Sequence, residues 1–368
     1  MEIERLQASS AGAHGVKGNA EWTFPRLVAA SDKLNRPNQV RNQFKANEFL
    51  DELDVLEQKV NILVEFIKNA KYCVAYTGAG LSRTAGIPDY ASKAENSIVN
   101  NIAPKLKRKI DAQPTLAHRV IVALERAGYI SNCVQQNHDG LPQKAGFPQE
   151  KINEIHGAWH DPSNPVVQIN GSLRDDLYQW MVDVEQRADL CLCLGTSLSG
   201  MNSDRIASTP CKRMFSNPDV FGTVIVNLQQ TRLDENAAIR IWAKLDDVFE
   251  MVAQKLNLDM TPVPPVIDTS MNDKFIVPYD REGKLDTTKR TIWDLSKGAE
   301  VTIKNPRGDV PGKISSKDAE GNYIIALPHF STMILGRWWV NTALRGSYPT
   351  LPITNAYPKY AKLPTTNQ

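Results

Sequence analysis

Between Glu48 and Ala70 the apolar residues Leu50, Leu53, Leu56, Val60, Leu63, Val64 and Ile67 recur at steps of three and four, the stripe of an amphipathic helix. The stripe runs into a short apolar segment, Cys73-Val74-Ala75-Tyr76, that ends at Thr77-Gly78-Ala79-Gly80. This reads as a strand entering a glycine turn, with the next helix expected to begin at that turn. The same alternation then repeats. A helical pattern around Pro114 to Ala127 leads to a strand at Tyr129 to Val134, and a second helix from Leu173 to Gln186 leads to a strand at Ala188 to Leu194. A strand at Thr223 to Leu228 and a last helix at Leu245 to Leu256 complete the series. Strands alternating with helices predict an α/β fold of Rossmann-like type, a parallel sheet with helices on both faces. In such sheets ligands sit at the carboxyl ends of the strands.

The pattern changes at both flanks. Residues 1–47 read as an irregular N-terminal arm, in which Trp22, Phe24 and Leu27 are apolar anchors, and residues 48–260 form the α/β core. Prolines at 262, 264 and 265 stop the last helix and predict an extended linker over 261–272. Beyond it, Lys274 to Pro278, Glu300 to Ile303, Tyr323 to Leu327 and Arg337 to Val340 are short runs separated by Gly, Asp, Asn and Pro, so 273–368 is expected to be a β-rich module.

Composition narrows the class. Of 368 residues, 42% are apolar and 23% charged, the balance of a globular protein able to bury a core. Lys plus Arg at 43 against Asp plus Glu at 41 gives no whole-molecule attraction to nucleic acid. The basic run Lys105-Leu106-Lys107-Arg108-Lys109 is either a local contact or nuclear address, or a solvated surface. The five cysteines never stand as C-x-x-C, which argues against a zinc knuckle or a disulfide framework and for a reducing compartment. With no apolar leader and no long apolar run, an intracellular location, nuclear or cytoplasmic, is expected.

The candidate chemistry lies in the loops. Gly78-Ala79-Gly80-Leu81-Ser82 follows a strand, where glycines let the backbone approach a phosphate group at a helix N-terminus. The third glycine of a dinucleotide fingerprint is replaced by Arg83, and a plain tight turn satisfies the same residues. Gly86-Ile87-Pro88-Asp89-Tyr90 places a fixed-φ proline and a carboxylate just past that turn. Gln136-Asn137-His138-Asp139-Gly140 gathers amides and carboxylate at a strand end, suited to hydroxyls or a carboxamide, and equally readable as an Asx turn. In Glu154-Ile155-His156-Gly157, His156 is either structural or a proton acceptor working near its own pKa.

Taken in order, these loops resemble the sirtuin family. G-A-G-[IL]-S followed by G-I-P-D-[FY] is met at Gly78 to Ser82 and Gly86 to Tyr90, Q-N-x-D-G-L at Gln136 to Leu141, H-G at His156-Gly157, and G-T-S-L at Gly195 to Leu198. Val226 to Asp234, Gly171 to Asp176 and Ala145 to Pro148 resemble more narrowly the class IV nuclear sirtuins. The resemblance covers about Glu48 to Leu256. It implies an NAD-consuming deacylase that moves the acyl group of an acyl-lysine, with a histone as one candidate substrate protein, to ADP-ribose with release of nicotinamide. Under it His156 is the general base, with Asn137 and Asp139 completing the catalytic set. Gly78, Ala79, Gly80 and Ser82 line the phosphates, while Asp89, Tyr90 and Gln136, with Asn137 and Asp139, surround the nicotinamide ribose. Gly195, Thr196, Ser197, Asn227, Gln229 and Leu245 hold the adenosine half, and Gly171 pairs with the substrate peptide.

The departures bear on the acyl side. The two C-x-x-C pairs that build a zinc lobe in the family are missing between His156 and Gly171, so a reduced or absent lobe and no bound zinc are expected. Cys191 and Cys193 share one strand face within an apolar run and read as buried thiols. Ala91 stands for the family's arginine, Pro142 for a histidine, Ser172 for a glutamate, and Ser199-Gly200-Met201-Asn202 for V-x-P. His138 replaces an apolar residue and is either a second titrating group or a solvated one. An NAD glycohydrolase, an ADP-ribosyltransferase and a non-catalytic NAD or ADP-ribose sensor are the competing functions.

Overall fold

The protein was analysed as a computed structural model, which describes residues 5–33, 44–88, 96–168, 171–262 and 272–355. The chain falls into two compact units, Met1–His156 with Ile169–Val263, and Gly157–Gln168 with Pro264–Gln368.

The first unit is built on six parallel strands: β1 (Cys73–Thr77), β2 (Asn132–Gln135), β3 (Ile152–Glu154), β4 (Leu190–Leu194), β5 (Gly222–Val226) and β6 (Ile239–Ile241). Their spatial order is β3-β2-β1-β4-β5-β6. Strand order therefore reverses at the β1/β4 boundary, where a doubly wound sheet opens a crevice above its carboxyl edge. Every residue of β1, β4 and β5 is buried, as continuous apolar strands covered on both faces must be. On one face pack α1 (Leu53–Asn69), α2 (Leu116–Arg126) and α5 (Leu245–Lys255), whose Val60, Leu63, Ile121, Leu124 and Phe249 share a core cluster with Ala75, Leu192 and Val224. On the other, α3 (Asp175–Arg187) and α4 (Arg205–Arg213) cover Val74, Tyr76, Cys191, Cys193 and Ile225 through Met181, Val184 and Ile206.

Boundaries differ from the sequence expectation where polar chemistry overrides periodicity. The helix expected from Glu48 starts at Leu53, because Glu48–Leu50 pairs as a strand with Arg26–Ala29. The arm is tied into this unit. Trp22 is buried, Phe24 and Leu27 pack with Leu6, Ala13, Phe49 and Trp242, and the Val16 and Lys17 amides donate to the Ala237 and Ala238 carbonyls at 2.8 and 2.9 Å. β3, β6 and α4 went unread: β3 and β6 span only three residues each, and Pro210 interrupts the pattern of α4.

The second unit carries a five-stranded antiparallel sheet of β9 (Glu300–Ile303), β10 (Val310–Lys317), β11 (Tyr323–Ala326), β12 (Thr332–Leu335) and β13 (Ile353–Asn355), ordered β12-β11-β10-β9-β13, with β7 (Lys274–Val277) and β8 (Thr291–Asp294) as a separate hairpin. The run expected as a strand at Arg337 to Val340 is helical instead: α6 (Trp338–Arg345) ends on Gly346, which takes the left-handed conformation at φ 61°. Trp339, Val340, Thr342 and Ala343 are buried on its inner side, a helical spacing that the β-type residues Trp-Trp-Val concealed. The segment Gly157–Gln168, which a linear division leaves inside the core domain, belongs to this unit. The Gly336 amide donates to the His160 carbonyl at 2.9 Å, and the buried His160 ring packs 5.1 Å from Trp338. Most of the proline-rich linker, 263–271, lies outside the described residues.

Two buried imidazoles set an acid limit on the first unit. His14 is held down to about 4 by burial and then by the Lys59 charge, and His118 to about 3 by burial and then by Arg119. His118 caps α2, its Nδ1 accepting from the Thr115 amide at 3.2 Å, a bond only the neutral ring makes. In the unfolded chain both rings take up a proton as the pH falls through about 6.5. The unfolded state thus binds more protons between pH 6.5 and 4, so stability falls across that window. Urea midpoints measured at pH 7 and pH 4.5 should drop with acidification, and a His14→Gln/His118→Gln variant should lose part of that slope.

Candidate active site

Each loop leaving the carboxyl edge of the sheet next to the β1/β4 reversal contributes to one polar cluster. After β1 the chain enters a 3-10 helix, Ala79–Ala85, rather than the α-helix the turn suggested, closed by Gly86 at φ 88°. The loop after β4 lies against it so closely that neither tolerates a side chain. The Gly78 and Gly80 amides donate to the carbonyls of Leu194 at 3.0 Å and Gly195 at 2.8 Å. A Cβ on Gly80 would stand 2.7 Å from Gly195 Cα, and one on Gly195, whose φ is +62°, would stand 2.6 Å from the Gly80 carbonyl carbon. The glycines are required by this backbone-to-backbone approach at the strand-order reversal.

The β2 loop closes the cluster from the other side. Asn137 Nδ2 donates to the Gly78 carbonyl at 3.0 Å and to Ser82 Oγ at 3.1 Å, and Ser82 Oγ donates to Asp139 Oδ2 at 2.7 Å. The second Asp139 oxygen accepts the Leu141 amide at 2.9 Å. Burial raises the proton affinity of Asp139 above the ordinary carboxylate range, against the pull of the Leu141 and Ser82 hydrogen bonds and the His138 and Lys144 charges. Gln136 Nε2 donates to Thr196 Oγ1 at 2.7 Å, and Asn227 Nδ2, at the end of β5, donates to the Thr196 carbonyl at 3.2 Å. Thr196 therefore joins the β2, β4 and β5 loops. His138 is half-buried.

His156 follows β3 and is nine-tenths buried, with Nε2 lying 3.4 Å from Ser203 Oγ. The structure thus brings Gly78, Gly80, Ser82, Gln136, Asn137, Asp139, Gly195, Thr196 and Asn227 into one bonded set at the crevice. Ala79 and Ser197 stand in the same loops and are half-buried, as are Gln229 and Leu245 beyond β5 and at the start of α5. Gly171 is exposed. Asp89, Tyr90 and Ala91 lie outside the described residues.

Sequence reasoning missed the polar groups that stand behind these loops. Arg240, fully buried in β6, donates to the Asn227 and Gln229 carbonyls at 2.9 and 2.7 Å and to Asp234 Oδ1 at 2.8 Å. Its signal was a lone arginine in Ile-Arg-Ile, a charge where a strand interior calls for an apolar residue. Tyr76, Ser203 and Asp204 were missed as well. All five cysteines are free, buried thiols, and burial pushes Cys133 and Cys211 up to about 12. Among the described residues no group of three or more His, Cys, Asp or Glu side chains is placed to hold a metal ion, and residues 157–170 contain no cysteine. No described helix is long and apolar enough to cross a membrane.

Comparison with known proteins gives one family. A model described as the Sir2 family matches residues 94–164, a stretch that includes the Gln136 to Leu141 motif and His156. The chain is 28% identical over 287 residues to "NAD-dependent protein deacetylase sirtuin-7" of Bos taurus, covering 64% of this chain and 70% of that protein. The same figures hold for sirtuin-7 of Homo sapiens. It is 29% identical over 255 residues to "NAD-dependent protein deacetylase SRT1" of Arabidopsis thaliana, covering 58% of this chain and 53% of that protein, so it spans about half of that relative's length. A solved structure described as "Sir2-p53 peptide-NAD+" is 21% identical with a TM-score of 0.44, over 54% of this chain and 98% of that one.

Proposed function

The chain belongs to the sirtuin (Sir2) family, and we propose that it acts as an NAD-dependent protein-lysine deacylase. The observation that carries this reading is the interlocked set at the strand-order reversal: two glycine loops in main-chain contact, the Asn137–Ser82–Asp139 chain bonded beneath them, and His156 on the adjoining strand end. NAD enters as a co-substrate whose glycosidic bond to nicotinamide breaks while the acyl oxygen of an acyl-lysine bonds to the freed ribose carbon; the acyl group then passes to a ribose hydroxyl as its bond to the lysine nitrogen breaks, one water is consumed, and the products are nicotinamide, free lysine and acyl-ADP-ribose. In our assignment the Gly78 to Ser82 turn and Gly195 to Ser197 take the phosphates and the adenosine side, with Asn227, Gln229 and Leu245 at the adenosine end. Asn137 and Asp139 orient the nicotinamide ribose and Gln136 steadies it. His156 takes the proton from a ribose hydroxyl. The exposed main chain at Gly171 pairs with the substrate peptide, a strand-addition mode in which main-chain hydrogen bonds supply the affinity. The peptide is an acylated lysine of a protein, and a histone tail is the substrate we propose testing first.

Product analysis of the full chain separates the alternatives. NAD with an acetylated histone-type peptide should give nicotinamide, deacylated peptide and acyl-ADP-ribose in equal amounts. Nicotinamide and ADP-ribose formed at the same rate without peptide would make the protein an NAD glycohydrolase, and ADP-ribose attached to protein would make it a transferase. NAD-dependent thermal stabilisation with no turnover would make it a sensor.

A further inference from the structure

From His156 runs a line of buried polar side chains drawn from three places in the sequence. His156 Nε2 lies 3.4 Å from Ser203 Oγ, Tyr76 Oη lies 2.9 Å from the same Ser203 oxygen, and Tyr76 Oη lies 2.8 Å from Asp204 Oδ1. Tyr76, Ser203 and Asp204 are all buried. Tyr76 is held in β1, between neighbours of the central sheet, and Ser203 and Asp204 sit on the 3-10 turn Asn202–Asp204 that opens α4. That turn is fixed by Asp204 itself, whose second oxygen accepts the Gly200 and Met201 amides at 2.6 and 3.0 Å.

Counting protons gives this line a direction. A phenol and a serine hydroxyl each have a single proton to donate, and a neutral imidazole has one N–H and one lone pair. With Asp204 ionised, its free oxygen can only accept, so the Tyr76 proton goes to Asp204. Tyr76 Oη then accepts from Ser203, and Ser203 Oγ accepts from His156 Nε2. Every donor in that order has an acceptor and every oxygen is used, as buried polar groups require. We propose that Asp204, acting through Tyr76 and Ser203, is a positioning residue that holds His156 in the tautomer protonated on Nε2, with the lone pair of the neutral ring on Nδ1. A carboxylate that fixes a catalytic histidine's tautomer from behind is an established device of hydrolases, where it acts by direct contact. Here it acts across two hydroxyls. The charged or titrating groups around Asp204 and Tyr76 are Arg232, which draws the Asp204 proton affinity down, Cys193, and each other, while burial raises both. The role of His156 as base rests on the deacylase reading above, whereas the tautomer does not.

The test therefore begins without turnover. The full chain labelled with 15N-histidine contains six imidazoles, and the His156 signal is the one missing from a His156→Gln variant. At neutral pH the His156 ring should show the Nε2–H pattern, and Ser203→Ala and Tyr76→Phe should each shift it toward a mixture of tautomers. With NAD and acyl-peptide the same two variants should lose roughly 10–100-fold in kcat with KM for NAD unchanged within about twofold. Because both hydroxyls serve one chain, the double variant should lose little more than either single one. Tyr76→Phe keeps the ring and its packing, so it remains readable if Asp204→Asn does not fold. An Nδ1–H pattern in the unaltered protein, which is the order obtained when Asp204 holds a proton, would overturn the proposal. So would a ring signal indifferent to Ser203→Ala. Absence of acyl transfer alongside the expected tautomer would instead remove the deacylase reading and leave the hydrogen-bond line standing.

Discussion

Replacing His156 by alanine is expected to lower peptide-dependent nicotinamide release by roughly 10²–10⁴-fold, the range for loss of one positioned general base. The loss should fall on kcat and leave KM for NAD nearly unchanged. The reason is architectural: the hydrogen bonds that join the glycine turn, the Asn137–Asp139 loop and Thr196 run among those segments and do not pass through His156. That bonded set should survive the substitution, and what disappears is the proposed proton acceptor. An interaction that matters only while a proton moves lowers kcat and kcat/KM together. Initial rates over a range of NAD concentrations, with calorimetric NAD binding to the variant, give both quantities. Turnover within about tenfold of the unaltered protein would mean that another group takes the proton, and Asp139, whose proton affinity burial has already raised, would be the next to test.

How much of this was legible in the sequence follows from where the controlling interactions lie. The α/β alternation was readable because β1, β4 and β5 are fully buried and so continuously apolar, while α1 and α5 bury a single stripe each. The clustering of the candidate site residues was readable because their motifs are local. G-A-G-L-S and Q-N-H-D-G each place their own backbone and side chains at a strand end, and the structure joins them through Asn137 and Ser82. Local pattern was not enough where a residue's role depends on a distant partner. Tyr76 reads as one more apolar position of β1 until Ser203 and Asp204, more than a hundred positions on, stand against its hydroxyl. Arg240 is similar, since its partners at Asn227, Gln229 and Asp234 are set by the crossing of the chain after β5. The absence of C-x-x-C was plain in the sequence, but not what becomes of the segment after His156. Only the packing of His160 with Trp338 and the bond from Gly336 assign it to the C-terminal unit.

Arg240→Ala is expected to be the most destabilising single substitution outside the apolar core. The guanidinium is fully buried and spends its donors on four oxygens: Asp234 Oδ1 at 2.8 Å and the carbonyls of Asn227, Gln229 and Ile241 at 2.9, 2.7 and 2.7 Å. Its plane stacks 3.5 Å from the centre of the buried Trp242 ring, whose indole N–H reaches back to the Ala13 carbonyl of the arm. Truncation strands the Asp234 carboxylate, whose proton affinity burial already raises, and leaves the carbonyls without their donor. Removing one partner of a buried ion pair costs about 3–5 kcal/mol, and at about 2–4 °C per kcal/mol for a domain of this size the melting temperature should fall by on the order of 10 °C. Most of that cost comes from the stranded charge, because a buried pair as a whole contributes little net stability. The Arg240→Ala/Asp234→Ala double variant should accordingly lose less than the sum of the two single changes, a coupling readable from urea midpoints. Arg240→Lys keeps the charge but has no planar fork to span Asn227 and Gln229, so it should fall between the unaltered protein and Arg240→Ala. The same bonds fix the turn that carries Asn227 and Gln229, so NAD affinity should weaken in step with stability across the series. Full melting stability with weakened NAD binding would leave Arg240 acting on the turn alone, and the buried pair with Asp234 would then carry no weight in holding the sheet's last strand.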